Sequence, residues 1–213
     1  MDEDYRVERA HAADVPAIAA LFTVSFEASV LHHCGRLPKP QAMEDVFALV
    51  YEAEPDAAIV ARAGDEVVGY CFAPTALPRL WLRAVTGGHI FRWAWRWLTG
   101  RYGFGLHPVW VIVLNKLAFL RSAATPAKAA SARILSIAVA PSWRGRGVAR
   151  AMMAEALAYF RARRAGRVRL EVRPDNAPAI KVYEDCGFVA AGYTYDSQGP
   201  WLIMMKEMEQ GNV

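Results

Sequence analysis

Apolar residues recur along this chain with two different spacings. Short apolar or alternating runs predict strands, and apolar residues three or four positions apart predict helices. The strands are predicted near residues 5–10, 57–62, 66–72, 134–140, 167–173, 189–195 and 201–206. Helices are predicted at 15–30, 43–54 and 90–98. Two more are predicted, one that ends near residue 164 and one that follows Asn176. Strands and helices mixed in this way predict an α/β fold, a central sheet flanked by helices.

The turn after the run at 134–140 is the most informative boundary. Pro141 ends the run, and Arg144-Gly145-Arg146-Gly147-Val148-Ala149 leads into the next predicted helix. A helix that begins at such a turn presents unpaired backbone N–H groups and the positive end of its dipole, which together favour an anion. Gly145 and Gly147 matter because a side chain there would hold a phosphate away from the backbone or forbid the dihedral angles of the turn.

The residues around this turn carry a resemblance to a known family. In chain order they are Ser136-Ile-Ala-Val-Ala-Pro141, Arg144-x-x-Gly147-x-Ala149, Leu170-Glu-Val-Arg173, Asn176, Ala179, Tyr183 and Gly187-Phe188. The pattern resembles the GCN5-related N-acetyltransferase (GNAT) superfamily. Its part from 170 to 188 is similar to bacterial enzymes that acetylate the N-terminus of a ribosomal protein. The resemblance implies a mixed central sheet, splayed between the strands that end at Ala140 and Arg173, and acetyl-CoA as co-substrate without a metal.

The same resemblance implies where the coenzyme would bind. The pantetheine arm would pair with the backbone of Ile137, Ala138 and Val139, where an N–H group would polarise the thioester carbonyl. Asn176 would hydrogen-bond the arm or cap the helix that follows it. The diphosphate would rest on the backbone N–H groups of the turn, which are those of Arg144, Gly145, Arg146, Gly147, Val148 and Ala149.

Two further residues are candidates for proton transfer. Tyr183 matches the tyrosine that serves as general acid in many relatives, although packing against Phe188 would also explain it. The strand at 133–140 carries no carboxylate, so Glu171, which the ribosomal-protein relatives use as base, is the nearest candidate. Alternation along its strand puts Glu171 on a polar face with Arg169 and Arg173. A structural ion pair with one of these arginines is therefore the other interpretation.

Charge is distributed unevenly along the chain. The formal net charge is +4, yet no Asp or Glu occurs between Glu66 and Glu155, a stretch that holds twelve Lys or Arg. This part of the chain is suited to anions. Coenzyme phosphates would account for the arginines near 144–150. They would not account for five earlier ones, which are Arg79, Arg83, Arg92, Arg96 and Arg101.

These five arginines belong to a predicted insertion, at about 76–131, between the third and fourth strands. Five of the seven tryptophans of the chain also lie there. Three interpretations are open: a helical subdomain that packs on the sheet or on a second subunit of a homodimer, an interfacial membrane anchor, and a lid for an anionic acceptor. The apolar segment at 109–120 is shorter than the ~20 residues of a bilayer span. Nucleic acid is disfavoured because no recognised binding module accompanies the insertion.

Together these features predict one domain over residues 1–213 that transfers an acetyl group from acetyl-CoA to a primary amine of a small molecule. An amino sugar or another anionic acceptor would suit the basic insertion. The alternatives are acetylation of a peptide N-terminus and a non-catalytic acyl-CoA-binding module with a membrane- or partner-binding insertion. Three scattered cysteines and the lack of a signal pattern favour the cytoplasm, with contact at the inner membrane face if the insertion is an anchor. The histidines show no metal-ligand pattern.

Overall fold

The computed structural model describes residues 4–103, 130 and 132–208. The strands are β1 (Arg6–Arg9), β2 (Ala58–Ala63), β3 (Glu66–Phe72), β4 (Ala132–Arg133), β5 (Ser136–Val139), β6 (Arg167–Val172), β7 (Val189–Asp196) and β8 (Gly199–Glu207). The helices are α1 (Val15–Ser25), α2 (Glu27–Cys34), α3 (Pro40–Ala53), α4 (Leu77–Thr86), α5 (His89–Leu98), α6 (Val148–Ala162) and α7 (Ala177–Asp185). The mixed α/β class predicted from the sequence is confirmed.

The first sheet is covered by helices on both faces. Its strand order is β1-β2-β3-β5, and all its neighbouring strands are antiparallel. Alternate side chains of β2 enter different cores: Ile59 packs with Met152 and Phe160 of α6, whereas Val60 packs with Ile18 and Phe47 of α1 and α3. The buried apolar run at 57–61 therefore reflects burial on both faces.

The second sheet has the order β4-β6-β8-β7 and separates from the first within one short stretch. The Ile134 N–H donates to the carbonyl of Arg169 on β6 at 2.9 Å, whereas the Leu135 N–H donates to the carbonyl of Phe72 on β3 at 2.8 Å. The chain thus changes partner sheets between two adjacent residues. Beyond this point β5 forms the edge of the first sheet and diverges from β6, which confirms the predicted splay.

The helix predicted over 15–30 is wrong as a single element. The chain breaks at Phe26, and α1 and α2 meet at 86°. Phe22 and Phe26 keep helical spacing and pack at 5.0 Å between ring centroids, so the apolar pattern does not register the break. Contacts with the turn between β7 and β8 hold α2 in its new direction. Ser29 Oγ donates to Gln198 Oε1 at 2.7 Å, and His32 Nε2 lies 3.2 Å from Ser197 Oγ.

Among the described helices, none is by itself both long and apolar enough to cross a bilayer, although α1 and α2 meet those criteria as a bent pair.

The described part of the predicted insertion holds α4 and α5, and α5 confirms the helix predicted at 90–98. Both helices attach to the outer side of α3 through polar contacts. Asp45 accepts from Arg96 Nη1 and from the Tyr102 hydroxyl, each at 2.6 Å to Oδ2. Glu52 accepts from Arg83 at 3.3 Å and lies 3.1 Å from His89 Nε2. The apolar segment at 109–120 lies outside the described residues.

A buried carboxylate ties the start of the insertion to α6. Glu54 accepts hydrogen bonds from the Thr75 N–H at 3.0 Å, from the Thr75 hydroxyl at 2.5 Å and from the Tyr159 hydroxyl at 2.7 Å. Burial raises the pKa of Glu54, but the hydrogen bonds from Thr75 and Tyr159 outweigh it, so the pKa lies below its ordinary value. Folding therefore favours the ionised form of this side chain.

The lowered pKa of Glu54 predicts a pH dependence of stability. Because the folded-state pKa lies below the unfolded one, this contribution is complete above the ordinary Glu pKa of about 4.3 and is lost as the pH falls through the folded-state value. We expect Glu54→Gln to lower the free energy of unfolding by about 1–3 kcal/mol at neutral pH. The difference in the free energy of unfolding between the native protein and this variant should shrink at acid pH. Urea denaturation from neutral to acid pH measures it. Glu155→Gln, at an exposed position on α6, is the control. A constant difference across the pH range would contradict the assignment.

Candidate functional site

Two cavities meet where the sheets separate. The first has a volume of about 620 Å³ and lies between β5, the glycine turn and α7. The second has a volume of about 810 Å³ and lies between α1, α3 and the second sheet. They share six lining residues, which are Ser25, Phe26, Ile137, Asn176, Ala179 and Tyr183. A long ligand can therefore reach from one cavity into the other.

The glycine turn has the conformation that its sequence requires. Gly145 and Gly147 have φ angles of +75° and +83°, in the left-handed region that favours glycine, and Gly147 is the N-cap of α6. A Cβ atom on Gly145 would have no heavy atom within 4 Å, and one on Gly147 would meet only the Tyr5 hydroxyl, at 3.6 Å. The first turn of α6 thus opens its N–H groups to the first cavity, as an anion site requires.

Most of the predicted coenzyme residues line this first cavity. They are Ile137, Ala138, Val139, Arg144, Gly145, Gly147, Val148, Ala149 and Asn176. Arg146 is not among the lining residues, because its guanidinium lies over the Trp143 ring, 4.8 Å from the centroid. Arg144 Nε donates to the Val139 carbonyl at 3.2 Å, which holds this side chain against the end of β5. A backbone cradle, a helix dipole and basic side chains fit a diphosphate.

Asn176 caps α7, one of the two roles considered for it. Its Oδ1 accepts from the Ala179 N–H at 3.3 Å. Because Asn176 also lines both cavities, the cap places an amide side chain beside the junction. The cap positions the start of the helix that carries Tyr183.

Tyr183 is one of the side chains that line both cavities at the junction. It is 7% exposed, packs edge-on against Phe188 with ring centroids 6.3 Å apart, and lines both cavities. Burial raises the pKa of Tyr183 above its ordinary value. The phenol therefore stays protonated across neutral pH, which is the state that a proton donor requires. Tyr183 therefore both packs against Phe188 and lies at the junction of the two cavities, so the two interpretations of this residue do not exclude each other.

Glu171 lines the second cavity and forms ion pairs with two arginines. Its Oε1 contacts the guanidinium of Arg169 and lies 3.4 Å from that of Arg133. The prediction that Arg169 lies on a polar face of β6 is wrong, because this side chain is buried and only 1% exposed. The reason is that Glu171, on the same face of β6, neutralises this guanidinium within the fold. The carboxylate is thereby fixed at the wall of the cavity.

Arg173 has partners other than Glu171. Its guanidinium lies over the Trp201 ring at 3.8 Å from the centroid, donates to Gln198 Oε1 at 2.9 Å and lies 3.4 Å from Asp196. Trp201 Nε1 donates to the same aspartate at 2.7 Å. This cluster fixes the turn between β7 and β8 at the rim of the second cavity, next to Ser29 of α2.

Several lining residues were not predicted from the sequence. Ser25 and Phe26 come from the break between α1 and α2, and Gln198 and Trp201 come from the turn between β7 and β8. The Ser25 hydroxyl is buried at the junction and has no hydrogen-bond partner among the described residues. These segments lie far apart in sequence, so only the fold brings them together. The turn residues Ser197, Gly199 and Pro200 are the local signal for the segment that joins β7 and β8.

The described arginines of the insertion line neither cavity. Arg83 and Arg96 bind acidic residues of α3, and the Arg92 guanidinium lies 2.7 Å from His89 Nδ1. No described residue from 77 to 103 lines either cavity. Recognition of an anionic acceptor by these arginines therefore has no support in the described residues.

Known proteins resemble this chain in sequence. A family model described as the acetyltransferase (GNAT) family matches residues 17–188. Streptothricin acetyltransferase from Streptomyces lavendulae is 46% identical over 59 residues, which are 28% of this chain and 31% of that protein. An uncharacterised protein, ML0378, from Mycobacterium leprae is 37% identical over 78 residues, which are 35% of this chain and 21% of that protein. The matches thus span a third or less of these two relatives.

Solved structures share the fold over nearly the whole chain. The structure of SsHAT has a TM-score of 0.67 and 23% identity, covering 96% of this chain and 98% of that one. The ribosomal-protein-S18-alanine N-acetyltransferase from Escherichia coli has a TM-score of 0.55 and 13% identity, covering 98% of this chain and 96% of that one. The resemblance seen in the sequence is confirmed, and the family match covers most of the chain. The protein belongs to the acetyltransferase (GNAT) family.

Proposed function

We propose that this protein transfers an acetyl group from acetyl-CoA to the primary amine of a small molecule. The observation that carries the proposal is the pair of cavities that meet at the split in the sheet, with Tyr183 lining both. An acyl carrier in the first cavity would bring its thioester to the junction. An amine in the second cavity would approach the same point, which supplies the proximity that a two-substrate transfer needs.

The carrier would be held mainly by backbone groups. Its diphosphate rests on the N–H groups at the start of α6, where Gly145 and Gly147 leave space for it. Its pantetheine arm lies along the edge of β5, beside Ile137 and Val139, where the sheet has no neighbouring strand among the described residues. An N–H group of this edge polarises the thioester carbonyl and stabilises the oxyanion that forms during attack.

Two side chains would move the protons. The amine nitrogen attacks the carbonyl carbon, the C–N bond forms, and the C–S bond breaks with its electron pair on sulfur. Tyr183 donates its proton to the departing sulfur, and the amine loses its extra proton through ordered water to the Glu171 carboxylate. The contacts of Glu171 with Arg169 and Arg133 position this carboxylate.

The lining of the second cavity supports a cationic small-molecule acceptor. Aromatic and aliphatic side chains from α1, α3 and β3 form one wall, among them Phe22, Phe47 and Val50. The carboxylates of Glu171 and Asp175 line the opposite side and attract an ammonium group. Arg173, the arginine among the described lining residues of this cavity, is engaged by Gln198 and Trp201. The partial match to streptothricin acetyltransferase also supports a small-molecule amine as acceptor.

The glycine turn supplies the experiment that tests the proposal. Gly147→Asp forces a side chain onto a left-handed residue, at a cost of about 1–2 kcal/mol, and puts negative charge where the diphosphate binds. We expect coenzyme A affinity, measured by calorimetry, to fall by about 100-fold or more. This corresponds to the loss of at least two hydrogen bonds to the diphosphate, since each tenfold change in affinity is roughly 1.4 kcal/mol. The matched control is Gly64→Asp in the turn between β2 and β3, where φ is +56°. Equal affinities of the two variants would refute the proposal.

Tyr183→Phe tests the general acid. The change removes one hydroxyl and keeps the packing against Phe188. We expect turnover to fall by about 10²-fold or more, with coenzyme affinity unchanged, because the departing sulfur loses its proton donor. Thiol release over a panel of small-molecule amines and peptides measures turnover. Tyr193→Phe, at an exposed tyrosine of β7, should behave as the native protein. Undiminished turnover would place the acid elsewhere, and coenzyme binding without release on any amine would favour a non-catalytic module.

Glu171→Gln separates the two interpretations of this residue. The amide keeps the shape of the side chain and removes the charge that Arg169 and Arg133 share. We expect kcat/KM to fall by about 10²-fold and its pH profile to lose the limb that reports the base. Unfolding should also become easier, by about 3 kcal/mol, because a buried ion pair is broken. A variant that loses stability and keeps the native pH profile would show a structural role only.

A further inference from the structure

The second helix of the insertion, α5, has an inverted distribution of polar and apolar residues. Its inward face carries His89, which is buried beside Glu52, and Arg96, which binds Asp45. Its outward face carries Phe91, Trp95 and Leu98, which are 75%, 66% and 73% exposed. Positions i, i+4 and i+7 lie on one side of a helix, so these three side chains form a continuous apolar strip. A helix on the surface of a soluble protein ordinarily has its apolar residues inward and its charged residues outward.

The neighbouring helix α4 extends this strip. Leu82 and Val85 are 64% and 56% exposed, and Trp81 is also exposed. Arg79 is exposed in the first turn of the same helix, one turn before Leu82. We call the outward side of α4 and α5 the apolar face; its large side chains are Trp81, Leu82, Val85, Ile90, Phe91, Trp95 and Leu98.

Polar contacts with α3 hold the apolar face outward. Asp45 binds Arg96 and Tyr102, and Glu52 binds Arg83 and His89. Rotating α5 to hide its apolar side would remove Arg96, the charged partner of the buried Asp45 carboxylate. The polar attachment of α4 and α5 to α3 therefore keeps the apolar face exposed.

Charge identifies the kind of surface that this face fits. The described residues 77–103 hold five arginines and no acidic residue, and no Asp or Glu occurs from 67 to 154 in the sequence. Glu52 and Asp45 of α3 neutralise Arg83 and Arg96. Contact between two copies of this face would still bring together the three other exposed arginines of each copy, Arg79, Arg92 and Arg101, with no acidic residue of 77–103 to offset them, and this repulsion disfavours a dimer at this face. An anionic lipid surface offers both an apolar layer for the aromatic side chains and phosphates for the arginines.

We propose that the apolar face of α4 and α5 docks on the surface of an anionic lipid bilayer. Phe91, Trp95, Leu98 and Leu82 enter the boundary between headgroups and acyl chains, where aromatic side chains are favoured. Arg79 remains at headgroup level, where each basic residue near an anionic surface strengthens binding by about fivefold. Neither helix spans the bilayer in this arrangement. The proposal rests on the insertion alone and stands whether or not the proposed acetyl transfer is correct.

Vesicle co-sedimentation of the full chain tests this docking. The vesicles contain phosphatidylcholine alone or equal parts of phosphatidylcholine and phosphatidylglycerol. We expect the native protein to partition onto the anionic vesicles, and the partition to weaken with added salt. The double variant Phe91→Glu/Trp95→Glu should lower the partition by about tenfold or more, because both side chains leave the apolar layer and add negative charge.

The matched control carries the same charge change elsewhere. Val189→Glu/Tyr195→Glu alters two exposed side chains of β7 and should partition as the native protein does. Both double variants should keep native coenzyme A affinity, which shows that they are folded. The proposal is overturned if the native protein stays in solution with anionic vesicles or if the two variants partition equally. It is also overturned if the native protein sediments as a dimer that Phe91→Glu/Trp95→Glu dissociates.

Discussion

Two adjacent backbone hydrogen bonds determine the architecture of the site. Ile134 donates to Arg169 in the second sheet, and Leu135 donates to Phe72 in the first. Because one segment pairs with two diverging strands in succession, the sheet must open immediately afterwards. The opening leaves β5 as a strand edge, with backbone groups available to an extended ligand. The glycine turn follows β5 directly, so the same segment supplies the edge and the anion site.

Helix α3 connects the candidate acceptor cavity with the insertion. Its inward residues Phe47 and Val50 line the cavity, whereas its outward residues Asp45 and Glu52 hold α4 and α5. The structure thus separates two kinds of surface on one helix. The cavity side is apolar, and the outer side uses buried charge to fix the direction of the insertion. In the proposed arrangement, the acceptor would bind one helix away from a lipid surface.

The sequence predicted well those features that depend on local patterns. Strand and helix periods identified the α/β class, and the Gly145 and Gly147 spacing identified the turn whose φ angles require glycine. The candidate coenzyme cavity could be predicted from local patterns because residues 134–188 hold β5, the turn and α7 in one continuous segment. Local signals and tertiary structure agree there, as expected where a fold depends on a short motif.

Features set by distant contacts could not be predicted. The break at Phe26 keeps helical apolar spacing, and its direction is set by contacts with residues 197 and 198. Alternation along β6 put Arg169 on a polar face, but it could not show that Glu171 and Arg133 allow this arginine to be buried. The candidate acceptor cavity combines α1, α3 and β8, and no local pattern links them.

The central claim is that the split between β5 and β6 is the place where the carrier and the acceptor meet. A crystal structure with bound acetyl-CoA tests it most directly. The account predicts the diphosphate on the N–H groups at the start of α6, the pantetheine arm along β5, and the thioester beside Tyr183. A carrier bound away from the split, or one whose thioester lies outside the junction of the two cavities, would contradict it.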